Sequence, residues 1–189
     1  MKISIIGKTG TLASELCNSL TNDHQVNAYG KDLVDMRNPN SIKNITPTIK
    51  DSDVIIVCSG ILNTSVNDII NVNATGPIEL LTSLTESNSN SHVILIGSHA
   101  ATWTSWPNID IHRLIYNNSK KMLVNFVTGL EHSEQSKLKL TVYNVTRFKS
   151  NFTNDISKKG MELQEVVDTV HWLIDKKNPP LVYENSKTK

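Results

Sequence analysis

Cysteine is scarce in this chain: two residues among 189, at positions 17 and 58. They match no metal-ligand spacing, and no metal site is expected. Two buried thiols in a reducing compartment is the reading that remains. An excess of one charge is also lacking. The 19 Lys and Arg against 18 Asp and Glu leave a formal net charge of +1, which excludes a bulk electrostatic pull toward nucleic acid or an anionic membrane. No apolar run approaches the roughly 20 residues of a membrane span. The opening Met1-Lys2-Ile3-Ser4-Ile5-Ile6-Gly7 holds too short an apolar run for a signal peptide and no cleavage site, so a cytoplasmic protein is expected. Internal repeats and linkers are absent too, and the length suits one domain over 1–189 with a sizeable core. Asparagine and serine are abundant, but they lie in segments with regular apolar patterns, which speaks for compositional drift and against disorder. Asn-x-Ser/Thr triplets such as Asn73-Ala74-Thr75 fall inside predicted helices and strands, where chance explains them better than glycosylation.

What is present is alternation. Short apolar runs at Lys2–Ile6, Val26–Tyr29, Val54–Cys58, Val93–Ile96, Leu140–Val145 and Leu181–Tyr183 read as strands. Longer amphipathic stretches at Leu12–Leu20, Val66–Glu86, Arg113–Glu134 and Leu163–Lys176 read as helices, with a short one near Ser41–Ile45. This order predicts an α/β fold: a doubly wound, Rossmann-like parallel sheet of about six strands. Pro77 predicts a kink or a broken start in the second long helix, and Glu184–Lys189 reads as a loose tail. Only three residues separate Tyr29 from Leu33, whereas a parallel crossover needs a dozen or more. The fold is therefore expected to be shortened after the second strand, with Leu33–Met36 a loop or a vestigial edge segment.

Gly7-Lys8-Thr9-Gly10-Thr11-Leu12-Ala13 follows the first strand directly and opens the first helix. That is the context a dinucleotide-binding turn requires. Glycine permits the tight turn, and a backbone without Cβ lets a pyrophosphate approach the N–H groups and positive dipole end of the helix. Ala13, the third small position, still allows close packing of helix on strand. Farther along, Tyr116 and Lys120 are four apart, so on a helix both side chains face one cleft.

With Tyr116-Asn117-Asn118-Ser119-Lys120 in view, the chain resembles a short-chain dehydrogenase/reductase over nearly its whole length. Gly7–Ala13 matches the Gly-x-x-Gly-x-x-Gly/Ala turn of that family, and Cys58-Ser59-Gly60 falls where the family ends its fourth strand. Asn73-Ala74-Thr75-Gly76 resembles the Asn-x-x-Gly helix segment, and Ile96-Gly97-Ser98 the strand end that bears the active-site serine. Tyr116 through Lys120 match Tyr-x-x-x-Lys with the usual serine before the lysine. Arg147 and Phe148 open the stretch where the family contacts the nicotinamide. The resemblance implies Tyr116 as general acid/base, Lys120 as its tuning cation and ribose ligand, Ser98 on the substrate oxygen and Asn73 in the proton relay. It implies cofactor contacts from Gly7, Lys8, Thr9, Gly10, Thr11, Leu12, Ser59, Gly60, Tyr116, Lys120, Arg147 and Phe148, with Asp35 and Met36 flanking the adenine. The chemistry is consistent: a free phenol has a pKa near ~10, and a neighbouring ammonium is expected to lower it. His99 and His112 match no family role and read as structural or solvated.

Several departures bear on function. Ser98 and Tyr116 are 18 apart, so residues Trp103–Ile111 must loop out for the two to meet; Trp103 and Trp106 read as a pocket rim. Thr146-Arg147 stands where the family has Pro-Gly, and Ser150–Gly160 is a short substrate loop. No acid ends the second strand. Tyr29-Gly30-Lys31 does, and with Lys8 it suits a 2′-phosphate, so NADP is expected ahead of NAD, although Asp32 lies close by. The implied activity is a nicotinamide-dependent oxidoreductase on a small carbonyl compound or alcohol, with no metal and no nucleic-acid or membrane partner. The alternatives are an idle NAD(P)-binding sensor or scaffold and a sugar-nucleotide-modifying relative. Leu123, Phe126, Val127 and Leu130 exceed one core-facing stripe, so a homodimer or homotetramer is expected.

Overall fold

The computed structural model describes residues 1–102, 110–146, 148 and 161–184. Its strands are β1 (Lys2–Ile6), β2 (Gln25–Tyr29), β3 (Val54–Val57), β4 (His92–Ile96), β5 (Lys139–Asn144) and β6 (Val182–Glu184). Its α-helices are α1 (Thr11–Leu20), α2 (Pro39–Ile49), α3 (Val66–Ile70), α4 (Gly76–Glu86), α5 (Ile111–Glu131) and α6 (Leu163–Asp175). All six strands are parallel and lie in the order β2-β1-β3-β4-β5-β6. Period-two alternation divides the core into two layers. Ile55, Val57, Val93, Leu95, Leu140 and Val142 face α2, α4 and α5. Ile3, Ile5, Val54, Ile56, Ile94 and Tyr143 face α1 and α6. Burial on both faces explains why the strands read as near-continuous apolar runs.

The gap after Tyr29 has the predicted consequence. Residues 31–33 form turns, and the chain passes into α2 with no strand between, so β2 is the outermost strand. α2 is longer than the stretch Ser41–Ile45. Asn38 caps it by accepting from the Asn40 N–H at 3.0 Å, and Pro39 fits the first turn, where no N–H is needed. The buried stripe Ile42, Ile45 and Ile49 then carries it past Pro47.

The stretch Val66–Glu86 is not one α-helix. A π-helical turn, Asn71–Thr75, joins α3 to α4, so the irregularity lies before Pro77, which occupies the first turn of α4. Strand β6 includes Glu184, which the sequence placed in the tail. Leu123 and Val127 are buried, and Phe126 and Leu130 pack on the same cluster. Phe126 and Leu130 stay partly exposed, so the apolar face inferred from these four is covered only in part within the chain. Among the described residues no helix is long and apolar enough to cross a membrane, and no group of His, Cys, Asp and Glu is arranged to hold a metal.

Candidate active site

The chain leaves β1, runs outward to β2 and returns across β1 to β3, so the strand order reverses at the C-terminal end of β1. Crevices at such a point are where open α/β sheets bind ligands. The glycine turn fills this position. Gly7 has φ +100°, a conformation side chains resist, and a Cβ there would meet Ser59 N at 3.1 Å and Cys58 C at 3.2 Å. The Gly7 and Lys8 N–H groups donate to Tyr29 O at 3.0 and 3.1 Å, which pins the turn to the end of β2. Gly10 is the N-cap of α1 and brings no side-chain acceptor to the first-turn N–H groups. Lys8 and Thr9 are exposed beside it, Thr11 is partly buried, and Leu12 turns into the core.

The chemical group lies one strand farther on. Lys120, from α5, is 4% exposed. Its Nζ donates to Ile96 O at 3.2 Å and lies 5.9 Å from the centre of the Tyr116 ring. Burial depresses its pKa to about 8, an effect that Cys58 partly opposes. Tyr116 and Ser98, 18 apart in the chain, are hydrogen-bonded to each other. The Ser98 Oγ also accepts from the Ala100 N–H at 3.2 Å. One expectation is corrected here. Burial raises the Tyr116 pKa, and the Ser98 bond only partly offsets this.

Asn73 and Gly60 complete the floor. A methyl group built on Gly60 would sit 3.5 Å from Asn73 Oδ1 and 3.7 Å from Lys120 Nζ. The Asn73 side chain exchanges both its hydrogen bonds with Ile61, accepting from N–H at 3.0 Å and donating to O at 2.7 Å. Its amide thus fastens the π-helical turn to the loop after β3. Such turns recur at functional sites. Ser59 Oγ is buried with no partner among the described residues. Cys58 is pushed up to about 12 by burial, so it is a neutral thiol.

Other anticipated residues are used differently. Met36 is 4% exposed and packs in the core, so only its backbone could border an adenine. Asp35 is held by Arg37 through bonds of 2.9 and 2.6 Å, which keep its pKa near 2. Arg37 also reaches Asp68 at 3.7 Å and ties the loop after β2 to α3. The sequence reading missed this pair, although an arginine two residues after an acid in a loop was the available signal. Lys31 is exposed and close enough to Asp35 to lower its pKa. Phe148 packs against the α1–α6 layer and bridges to Met161. Arg147, Trp103, Trp106 and residues 150–160 lie outside the described residues.

No protein-family model and no curated protein matches the chain. Solved structures do. A short-chain dehydrogenase from Burkholderia cenocepacia J2315 in complex with NADP superposes with TM-score 0.81 at 12% identity, over 97% of this chain and 86% of that one. The fold is that of the short-chain dehydrogenases. The 3-alpha-hydroxysteroid dehydrogenase from Pseudomonas sp. B-0831 complexed with NADH gives TM-score 0.78 at 15% identity, covering 97% and 95% of the two chains. The dTDP-4-dehydrorhamnose reductase from Bacillus anthracis str. Ames in complex with NADP gives 0.77 at 16%, covering 100% and 75%. Among the described residues no strand lies beyond β2.

Proposed function

We propose that the protein is an NADP(H)-dependent oxidoreductase that interconverts a small carbonyl compound and its alcohol. The observation that carries this reading is the buried Lys120 ammonium stacked near a Tyr116–Ser98 pair, at the same sheet end as an uncapped glycine turn. The turn and the first-turn N–H groups of α1 suit a pyrophosphate. The orphaned Ser59 hydroxyl and the Lys120 ammonium suit ribose hydroxyls. Exposed Lys8 and Lys31 favour a 2′-phosphate, because each contact to it would be charge-assisted. A bound nicotinamide supplies or takes the hydride. Tyr116 gives its proton to the carbonyl oxygen, or takes it from the alcohol, while Ser98 donates to that oxygen as charge develops. Lys120 holds the phenolate that remains after proton donation.

The test combines binding with turnover. NADPH should bind more tightly than NADH in a calorimetric titration, and the difference should shrink in Lys31→Ala. A panel of small ketones, aldehydes and a sugar nucleotide is then followed by NADPH absorbance. Tyr116→Phe keeps the ring but loses the proton, so turnover should drop by at least ~10²-fold while NADPH affinity persists. Unchanged turnover in Tyr116→Phe would overturn the reading. Tight NADPH binding with no turnover across the panel would favour a nucleotide sensor.

A further inference from the structure

The end of β2 carries charges of both signs, and they make opposite demands on a ribose. Exposed Lys8 and Lys31 suit a 2′-phosphate. Asp32 suits a 2′-hydroxyl instead. Its carboxylate folds back onto the strand end, so that a Cβ on Gly30 would meet Asp32 Oδ1 at 2.5 Å. A second acid, Asp35, stands close enough to Lys31 for the two charges to interact. Left unpaired, Asp32 and Asp35 would match Lys8 and Lys31 charge for charge, and the strand end would not select an anion. Building on the NADP(H) reading above, we propose that Arg37 is a positioning residue that sets cofactor specificity: it cancels the Asp35 charge and so leaves the lysines in excess where the 2′-phosphate binds.

The guanidinium is committed to this acid. Arg37 Nε donates to Asp35 Oδ1 at 2.9 Å and Nη2 donates to Oδ2 at 2.6 Å, a bidentate pair, and the Arg37 N–H donates to Oδ1 at 3.0 Å. Both side chains are only part exposed, at 31% and 25%, which limits screening of the pair. Asp68 lies farther from the guanidinium, at 3.7 Å, and accepts from Thr64 Oγ1 at 3.1 Å. The loop has other supports for its shape. Gly30 O accepts from the Leu33 and Val34 N–H groups at 3.0 and 2.9 Å. The Asp35 N–H donates to Ser41 Oγ at 3.0 Å, and Ser41 donates to Leu33 O at 3.2 Å. Met36 is buried against Gly76, where a Cβ would meet Met36 Cβ at 2.8 Å. What Arg37 adds to this loop is charge.

Calorimetric titration of the full chain with NADPH and with NADH reads the preference without turnover. Arg37→Gln uncovers the Asp35 carboxylate and should cut the preference for NADPH over NADH by at least about tenfold, through weaker NADPH binding. Adding Asp35→Asn to it removes the uncovered charge and should restore the preference. Two variants that keep a cation beside the loop guard against a folding defect in Arg37→Gln. Arg37→Lys should hold the preference, and Asp35→Asn alone should hold or raise it. Equal losses of NADPH and NADH affinity in Arg37→Gln are what a purely structural role gives, and they would overturn the proposal. So would a lost preference that Asp35→Asn does not restore, which would mean that Arg37 meets the phosphate itself, or a loss in Arg37→Lys as large as in Arg37→Gln. An unmutated chain that binds NADPH no more tightly than NADH would instead strike the NADP(H) reading, and this inference with it.

Discussion

The two ends of the sheet treat buried polar groups in opposite ways. Toward the N-terminal ends, hydroxyls are matched to one another and to backbone. Ser4 and Ser52 share a bond of 2.8 Å, and the Ser89 and Ser91 hydroxyl oxygens lie 2.9 Å apart. Ser91 donates to Ser52 O at 2.5 Å, and Ser89 donates to Lys50 O at 2.7 Å. His92 meets Thr141 Oγ1 at 3.0 Å, and Thr141 donates to Pro180 O. His24 Nδ1 is the exception there. At the C-terminal ends, Ser59 Oγ and Asn144 Oδ1 are buried without partners among the described residues, and Lys120 is a buried cation whose only described acceptor is a carbonyl. A satisfied buried network stabilises; an unsatisfied one destabilises the free protein and is relieved when a ligand supplies the missing partners. The same sheet is thus closed at one end and poised at the other.

The sharpest way to break this contrast is Lys120→Met. The folded-state pKa of Lys120 is about 8, below the usual 10.5. Below pH 8 the folded chain must bury an ammonium that the unfolded chain keeps in water. Between 8 and 10.5 the unfolded chain binds more protons, so stability rises with pH across that window. Removing the charge should therefore raise stability at pH 7 by on the order of 2–3 kcal/mol, less whatever the bond to Ile96 O contributes. The gain should shrink above pH 8 and vanish beyond 10.5, while NADPH binding and turnover are lost. Urea unfolding at pH 7 and 10.5 measures this. A variant less stable at pH 7 would show that the ammonium is already satisfied, and the two ends would no longer differ.

At the closed end, His92 gives a dependence of the same sign in a more acidic window. Burial, helped by Lys139, lowers its pKa from 6.5 to about 4. The folded chain keeps it neutral while the unfolded chain protonates, so its contribution is complete above pH 6.5 and is lost as pH falls toward 4. His92→Gln retains a donor for Thr141 but does not titrate. The wild type should therefore lose about 2 kcal/mol more than this variant between pH 6.5 and 4. Parallel stability curves would exclude the assignment.

Much of this was legible in the sequence, because the fold rests on local period and spacing. The strands stand where apolar runs alternate with amphipathic ones, and the three residues after Tyr29 were too few for a crossover whatever the tertiary context. Gly7 was legible for the same reason, since its turn leaves no room for a Cβ. Tyr116 and Lys120 share a helix face by spacing alone. What the sequence did not reveal depends on contacts between distant segments. The Asn73 amide is taken by Ile61, Met36 goes into the core, and the rise in the Tyr116 pKa is set by burial that no local pattern encodes. Serines read as compositional drift include Ser52, Ser89 and Ser91, whose partners come together only when the segments before β3 and β4 are brought side by side.

Ser91→Ala probes that last point and has the smallest expected effect. The Ser91 hydroxyl donates to Ser52 O and lies 3.3 Å from Lys50 O and 2.9 Å from Ser89 Oγ. Alanine removes a hydroxyl with little change in volume, so packing is retained. Ser89 keeps its bond to Lys50 O, but the carbonyl of Ser52 is left buried without this donor. The loss should be about 1–2 kcal/mol, a net hydrogen bond plus part of a desolvation penalty. Because the site is at the far end of the strands, NADPH affinity and turnover should not move. Stability unchanged in Ser91→Ala would mean that water replaces the hydroxyl and the closed end is wetter than its hydrogen bonds imply. A change in NADPH affinity would mean instead that the two ends are coupled through β3 and β4 and cannot be treated as separate regions.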